Sequence, residues 1–211
     1  MELCSDGSVS QGSFTEIWRQ LRLYPSLLLL YAGGVAALSA NNYRMLSALL
    51  TRPGYHDHNG QVPLLLQCCT YGVFRVELRQ FLPGYERRTT AASDYLVDLL
   101  RPLMQETFPL RNRYEECFDR FEYLTALVYS DLRQNSPNPA GIGFSGPVGR
   151  FGWRNRGRPE DILRVVAEEI GKFGENWAPL KAGLFDGSFT RLSDVKAGFD
   201  SFLRNVRVNY H

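Results

Sequence analysis

Residues 23–50, LYPSLLLLYAGGVAALSANNYRMLSALL, decide the fold. The stretch opens at Pro25 and stays apolar or small to Ala40, and a second apolar segment follows Asn41-Asn42. It reads as a buried helical hairpin. Asn41-Asn42 forms the turn, and Tyr43 to Leu50 forms the return arm with Leu46, Leu49 and Leu50 inward. Ala32, Ala36 and Ala40 recur every four residues, as do Gly33 and Ala37. Such rows leave a smooth helix face that another backbone can approach closely. Gly33-Gly34 costs on the order of 1 kcal/mol per residue in helix propensity, which close packing offsets. The uninterrupted part, Pro25 to Ala40, is shorter than the roughly 20 residues of a membrane span. Arg22 and Arg44 flank it, so the stretch is expected in a core and no membrane partner is expected.

Working outward, residues 1–12 are polar and read as a flexible leader. Ser13-Phe14-Thr15-Glu16 has capping-box spacing and starts a helix to about Arg22. Tyr24-Pro25 then restarts the helix. Downstream, 51–61 (TRPGYHDHNGQ) is a breaker-rich loop. Residues 63–82 are expected as a helix with Leu66, Thr70, Phe74, Leu78 and Phe81 on one face. Ser93 is placed as the cap of a helix to about Thr107, lined by Leu96, Leu99, Leu100 and Leu103 and kinked at Pro102. Residues 112–133 make the most regular amphipathic helix, with Tyr114, Cys117, Phe118, Phe121, Thr125, Val128 and Leu132 at three- and four-residue steps. Most of the Pro, Gly and Asn falls in 134–158, a loop or linker. Pro159-Glu160-Asp161 opens a further helix with acids at its positive end. Its core face is Ile162, Leu163, Val166, Ile170 and Phe173. Trp177 to Leu184 is a short helical turn. Ser193 is placed as the cap of the last helix, with Val195, Phe199, Phe202 and Val206 inward.

The expected fold is therefore all-α. A multi-helix bundle (13–133) surrounds the hairpin, and a C-terminal helical segment (159–211) packs on it after the Gly/Pro/Arg-rich loop. The chain has 211 residues, 44% hydrophobic and 22% charged, which suits one packed domain. A net charge of +2 points to no particular partner. Only three basic residues are Lys (Lys172, Lys181, Lys196). Arg suits bidentate contacts to carboxylate or phosphate. Four cysteines (Cys4, Cys68, Cys69, Cys117) form no CxxC, and three lie among apolar neighbours. That pattern indicates free thiols and a reducing, cytoplasmic compartment.

Motifs for chemistry are sparse. Gly141 to Gly146 spells GxGxxG, but no strand pattern precedes it and Pro147 follows, so it reads as a loop. Arg150, Arg154, Arg156 and Arg158 alternate with Phe151 and Trp153. Arginines with a stacking Trp153 can grip a phosphate backbone and its bases. The competing reading pairs these arginines with acids. His56-Asp57-His58 offers two imidazoles and a carboxylate, one ligand or more short of a zinc site. The Arg-x(4–6)-His spacing of HEPN-type ribonucleases is met by Arg52 with His58 and by Arg204 with His211. Pro53-Gly54 interrupts the first, and His211 is the last residue. Glu115-Glu116 and Glu168-Glu169 are adjacent pairs that point apart on a helix. No cofactor is expected.

Residues 18–53 resemble a helical segment in the C-terminal parts of large bacterial multidomain proteins of signalling and anti-phage defence. The resemblance lies in the run YP-LLLLYAGG-AA and in Asn42-Tyr43-Arg44. It implies a non-catalytic interaction or regulatory region whose enzyme domain lies upstream. A protein partner or that upstream domain is then expected to dock on it. Nucleic acid, bound by the 150–158 loop, is the alternative partner.

Overall fold

The most deeply enclosed helix lies outside the hairpin. It spans Arg111–Gln134 and carries acids, hydroxyls and aromatics into the interior on every side. The computed structural model describes residues 13–57, 60–74, 82–108, 110–135 and 144–209. The expected leader (1–12) lies outside them. In chain order the elements are α1 (Ser13–Ser39), α2 (Tyr43–Leu50), β1 (Pro53–Asp57), β2 (Gly60–Pro63), α3 (Leu64–Cys68) and α4 (Thr70–Val73). They continue as α5 (Ala91–Met104), α6 (Arg111–Gln134), α7 (Ile162–Phe173), α8 (Ala178–Lys181) and α9 (Phe189–Asn209), with 3₁₀ turns at 150–152, 174–176 and 184–187. The fold is all-α with one small antiparallel hairpin of strands.

The helical hairpin forms at the expected place. Asn41 takes a left-handed conformation (φ 52°), and Asn42 caps α2 by accepting from the Met45 N–H at 3.1 Å. Leu46 and Leu50 are fully buried, and Leu49 packs half-buried beside Gly33. Gly34, next to the small-residue rows, is where the close approach is made. A Cβ there would fall within the Phe121 ring of α6, so only glycine lets the two backbones come this close. Tyr31, one turn earlier, meets the Phe121 ring edge-on at 5.0 Å.

Several expected boundaries differ. The helix does not restart at Pro25, because α1 runs through it. Pro25 lies on the solvent side, where water can satisfy the carbonyl left free by the missing N–H. That continuity makes α1, over Gln20–Ser39, the one helix among the described residues long and apolar enough to cross a membrane. Here its second half, Leu27, Leu30, Tyr31, Val35 and Leu38, lies in the core. The 51–61 loop contains strands, paired His56 to Gln61 and Asp57 to Gly60. Pro53-Gly54 suits this hairpin because a Cβ at 54 would overlap the Val62 carbonyl.

The helix expected over 63–82 breaks at Cys69, which is extended (φ −77°, ψ 169°), and residues 75–81 lie outside the described set. Helix α5 starts after Thr90, so Ser93 lies inside it rather than at its cap. Leu96 and Leu100 face the core, while Leu103 is exposed. The last helix starts at Phe189, where the Ser188 hydroxyl accepts from the Arg191 N–H; Ser193 instead bonds back to the Phe189 carbonyl. Phe173 is exposed at the end of α7.

One apolar core joins the α-helices and the long loop. Phe151, from the long loop, packs between Tyr123 of α6 and Phe199 of α9, with ring centroids at 5.6 and 6.5 Å. The described part of that loop, 144–161, is thus a packed strap across α6.

Candidate functional site

Where the strap crosses α6, the sequence places three acids on one helical face. Glu115, Asp119 and Glu122 are spaced i, i+4, i+7, and all three are buried. The strap delivers two arginines to them. The 3₁₀ turn at 150–152 puts Arg150 and Arg154 four residues apart on the same side. Arg150 donates from Nη2 to Glu115 Oε2 at 2.9 Å, and its Nε lies 2.9 Å from Asp119 Oδ1. Arg154 donates to Asp119 Oδ2 and places Nη2 2.8 Å from Glu115 Oε2. The two guanidiniums and two carboxylates form a closed square in the interior.

Glu115 is also reached from outside. Arg111 donates to its Oε1 at 2.8 Å, and Arg101 of α5 lies at 3.5 Å while also pairing with Asp98. Burial pushes the Glu115 carboxyl up, but its arginines outweigh that and hold it below the ordinary glutamate value. For Asp119 the balance reverses. Burial dominates and raises it despite Arg150 and Arg154.

Among the described residues Glu122 has no cation of its own. It accepts from the Ser93 hydroxyl at 2.6 Å and from the Tyr31 hydroxyl at 3.1 Å. Ser93 in turn accepts from the Arg150 backbone N–H at 2.9 Å. Burial, with Asp119 adding to it, pushes the Glu122 carboxyl up to about 8. It is therefore a neutral acid at pH 7, in which one of its two hydroxyl bonds runs from the Glu122 proton to the hydroxyl oxygen, and the half-buried Arg150 and Arg154 face two carboxylates, not three.

Beside the square lies a cleft of 390 Å³. Its walls are the end of α1 (Leu38, Asn41), the outer side of α6 (Glu116, Cys117, Arg120) and the start of α7. Arg120 is held in a bidentate pair with Glu169, which also accepts from Trp177 Nε1 at 3.2 Å. Burial raises the Cys117 thiol, so it faces the cleft uncharged at neutral pH. The cleft presents charges of both signs, including Asp119 and Arg154 of the square, beside Leu38, Ile162 and Val165.

The residues singled out from sequence separate here. Arg150 and Arg154 belong to the square. Trp153 is half-buried in the strap, and Arg156 and Arg158 are exposed beyond it. Arg204 is exposed on α9, and His211 lies outside the described residues. His56 sits in β1 with its backbone paired to Gln61, and His58 lies outside the described residues. Among the described residues no group of three His, Cys, Asp or Glu is placed to hold a metal. Of GIGFSG, Gly141 to Gly143 lie outside the described set. Gly146 packs in the strap against the Ala126 carbonyl and Phe199, and no helix follows it directly.

Sequence reasoning missed Glu115, Asp119, Glu122 and Ser93 as a group. The available signal was the heptad-like run of acids on a helix otherwise rich in aromatics. It also missed Arg207, whose Nε donates to the Gly152 carbonyl at 2.6 Å. Burial lowers the Arg207 guanidinium, and the nearby Arg156 lowers it further. No protein-family model, no curated protein and no solved structure matches the chain.

Proposed function

We propose that this chain is a non-catalytic helical interaction domain that docks on protein through the outer face of α1. The supporting observation is an apolar stripe left in solvent. Trp18 is 63% exposed, Leu29 62% and Leu21 39%, and Pro25 lies between them. Half-buried Leu28, Ala32 and Ala36 continue the stripe. Exposed Arg22 is the charge beside Trp18 and Leu29, and no charged residue occurs from Leu23 to Ser39. A contiguous apolar strip of this kind marks a surface that another protein covers. The resemblance of residues 18–53 to helical regions of bacterial signalling and defence proteins supports an upstream domain of the same polypeptide as the occupant.

Photo-crosslinking from positions 18 and 29 tests this in cells that make the natural polypeptide. Discrete adducts at both positions are expected, those from position 18 being lost with Leu29→Glu and those from position 29 with Trp18→Glu. A probe at exposed Glu168 serves as the background. Labelling at 18 and 29 no higher than at 168 refutes the proposal.

The alternative, nucleic-acid binding by the strap, draws on the exposed Arg156 and Arg158 and on the approach of Arg156 to Arg207. A salt-titrated RNA-binding assay separates the two. Backbone contacts give an affinity that falls steeply with salt, and Arg156→Ala flattens that slope. No binding at low salt eliminates this alternative.

A further inference from the structure

Glu122 is roofed by the strap. The roof is the Gly149 backbone, where a Cβ would overlap the carboxyl group. The groups facing Glu122 can be taken element by element. Tyr31 comes from α1, with Cys69 behind it between α3 and α4. Ser93 comes from α5. Asp119 lies one turn away on α6, with Glu115 beyond it. Arg150 comes from the strap, but its guanidinium is committed to Glu115 and Asp119. Arg101 and Arg111 reach only the far oxygen of Glu115. Ionising Glu122 thus adds a third negative charge to a cluster whose two half-buried arginines are already matched.

The strap is held at Arg150 by its ion pairs to Glu115 and Asp119, beside it by the buried Phe151 ring, and through its backbone by a polar link that ends on this carboxyl. The Arg150 N–H holds Ser93, and Ser93 holds Glu122. A charged Glu122 gains most by becoming hydrated, and hydration requires the Gly149 backbone packed against it to lift.

We propose that residues 144–161 form a proton-dependent strap that lies shut over an uncharged Glu122 and opens when that carboxyl loses its proton. Opening bares Arg150 and Arg154 beside the already exposed Arg156 and Arg158. The closed form keeps that set of four guanidiniums half-masked. The coupling has a fixed size. A hydrated glutamate titrates near its ordinary value of 4.5, and the enclosed one near 8. Between those limits each opening releases one proton, so the open population rises about tenfold per pH unit and levels off above pH 8.

Hydrogen exchange on the whole chain between pH 6 and 10 tests this, with rates corrected for the intrinsic pH dependence of amide exchange. Strap amides are expected to be less protected than those of α6. Their protection is expected to fall about tenfold per pH unit to pH 8 and then flatten. Glu122→Gln keeps the shape of the side chain and removes its charge, so its strap protection becomes independent of pH. Gly149→Ala crowds the strap against the Glu122 carboxyl, so trypsin cuts after Arg154 faster than in the unaltered chain at pH 6 while α6 stays protected. Three results overturn the proposal: strap and α6 amides exchanging at one rate, a flat pH response in the unaltered chain, or an unchanged slope in Glu122→Gln. Should Glu122→Gln fail to fold, the wild-type slope and the Gly149→Ala digest decide.

Discussion

Glu122 is an acid with two hydroxyl partners and no cation bonded to it, and that sets its effect on stability. Its carboxyl sits near 8 in the folded chain, against an ordinary value of 4.5 for a solvated glutamate. The folded state therefore holds one more proton than the unfolded state between these values. Stability declines as pH rises through that window, by about 1.4 kcal/mol per pH unit. Below the window the penalty is absent, and above it the penalty is complete. Glu122→Gln is expected to abolish the decline and to stabilise the chain by a few kcal/mol at pH 8. Urea unfolding at pH 5, 7 and 9 checks this; equal pH dependence in both proteins defeats it. Glu122 was not legible as special in the sequence. It falls on the same helical row as Glu115 and Asp119, and only the strap arginines, 35 residues from their partners in the chain, distinguish the members of the row.

At the scale of elements, the strap and α6 form an electrostatic joint. Asp119 and Glu115 are buried acids whose partners come mainly from Arg150 and Arg154. Removing Arg154 leaves Asp119 with Arg150 alone. Arg154→Ala is therefore expected to cost about 1.5–3 kcal/mol, the range of hydrogen bonds to charged groups. The double change Arg154→Ala with Asp119→Ala should cost less than the sum of its parts, by about 1 kcal/mol, because the weakly matched charge goes too. A double-mutant cycle in urea measures the coupling, and additive costs count against the joint. Salt is a weak lever on so enclosed a group of charges.

Element boundaries show what periodicity carries. The hairpin at 41–42 was legible because turn residues and apolar rows are local signals. So was the helix of 111–134. Pro25 and Ser93 misled for one reason. Each has a strong local preference, for a first turn and for a cap, that the surroundings override. Pro25 lies where water replaces the lost bond. Ser93 lies where a buried glutamate needs a donor. The strap could not be read because glycine and proline signal only irregular backbone, and irregular backbone packs as well as helix when its polar groups find partners.

For the molecule as a whole, α6 is the axis. It is covered by α1 on one side, by α5 and the strap on others, and by α7 and α9. The Tyr123 hydroxyl donates to Asp200 across 77 residues of chain at 3.2 Å. No subset of residues up to 143 can enclose that axis. A chain cut after residue 143 is expected to keep far-UV helical signal, lose near-UV signal and bind a hydrophobic dye. A cooperative unfolding transition in that fragment shows the axis to be dispensable.

Phe199, wedged beside Tyr123 and Phe151, has a consequence for synthesis. On the ribosome, α1 and α6 emerge early and can coil, but α6 then carries three acids and a row of aromatics with one flank bare. That flank closes only when α9 has cleared the exit tunnel. Until then the nascent chain shows an apolar face to its surroundings, and a ribosome-associated chaperone has its longest dwell there. A slow codon placed between 144 and 188 lengthens that exposure, and one placed before 111 does not.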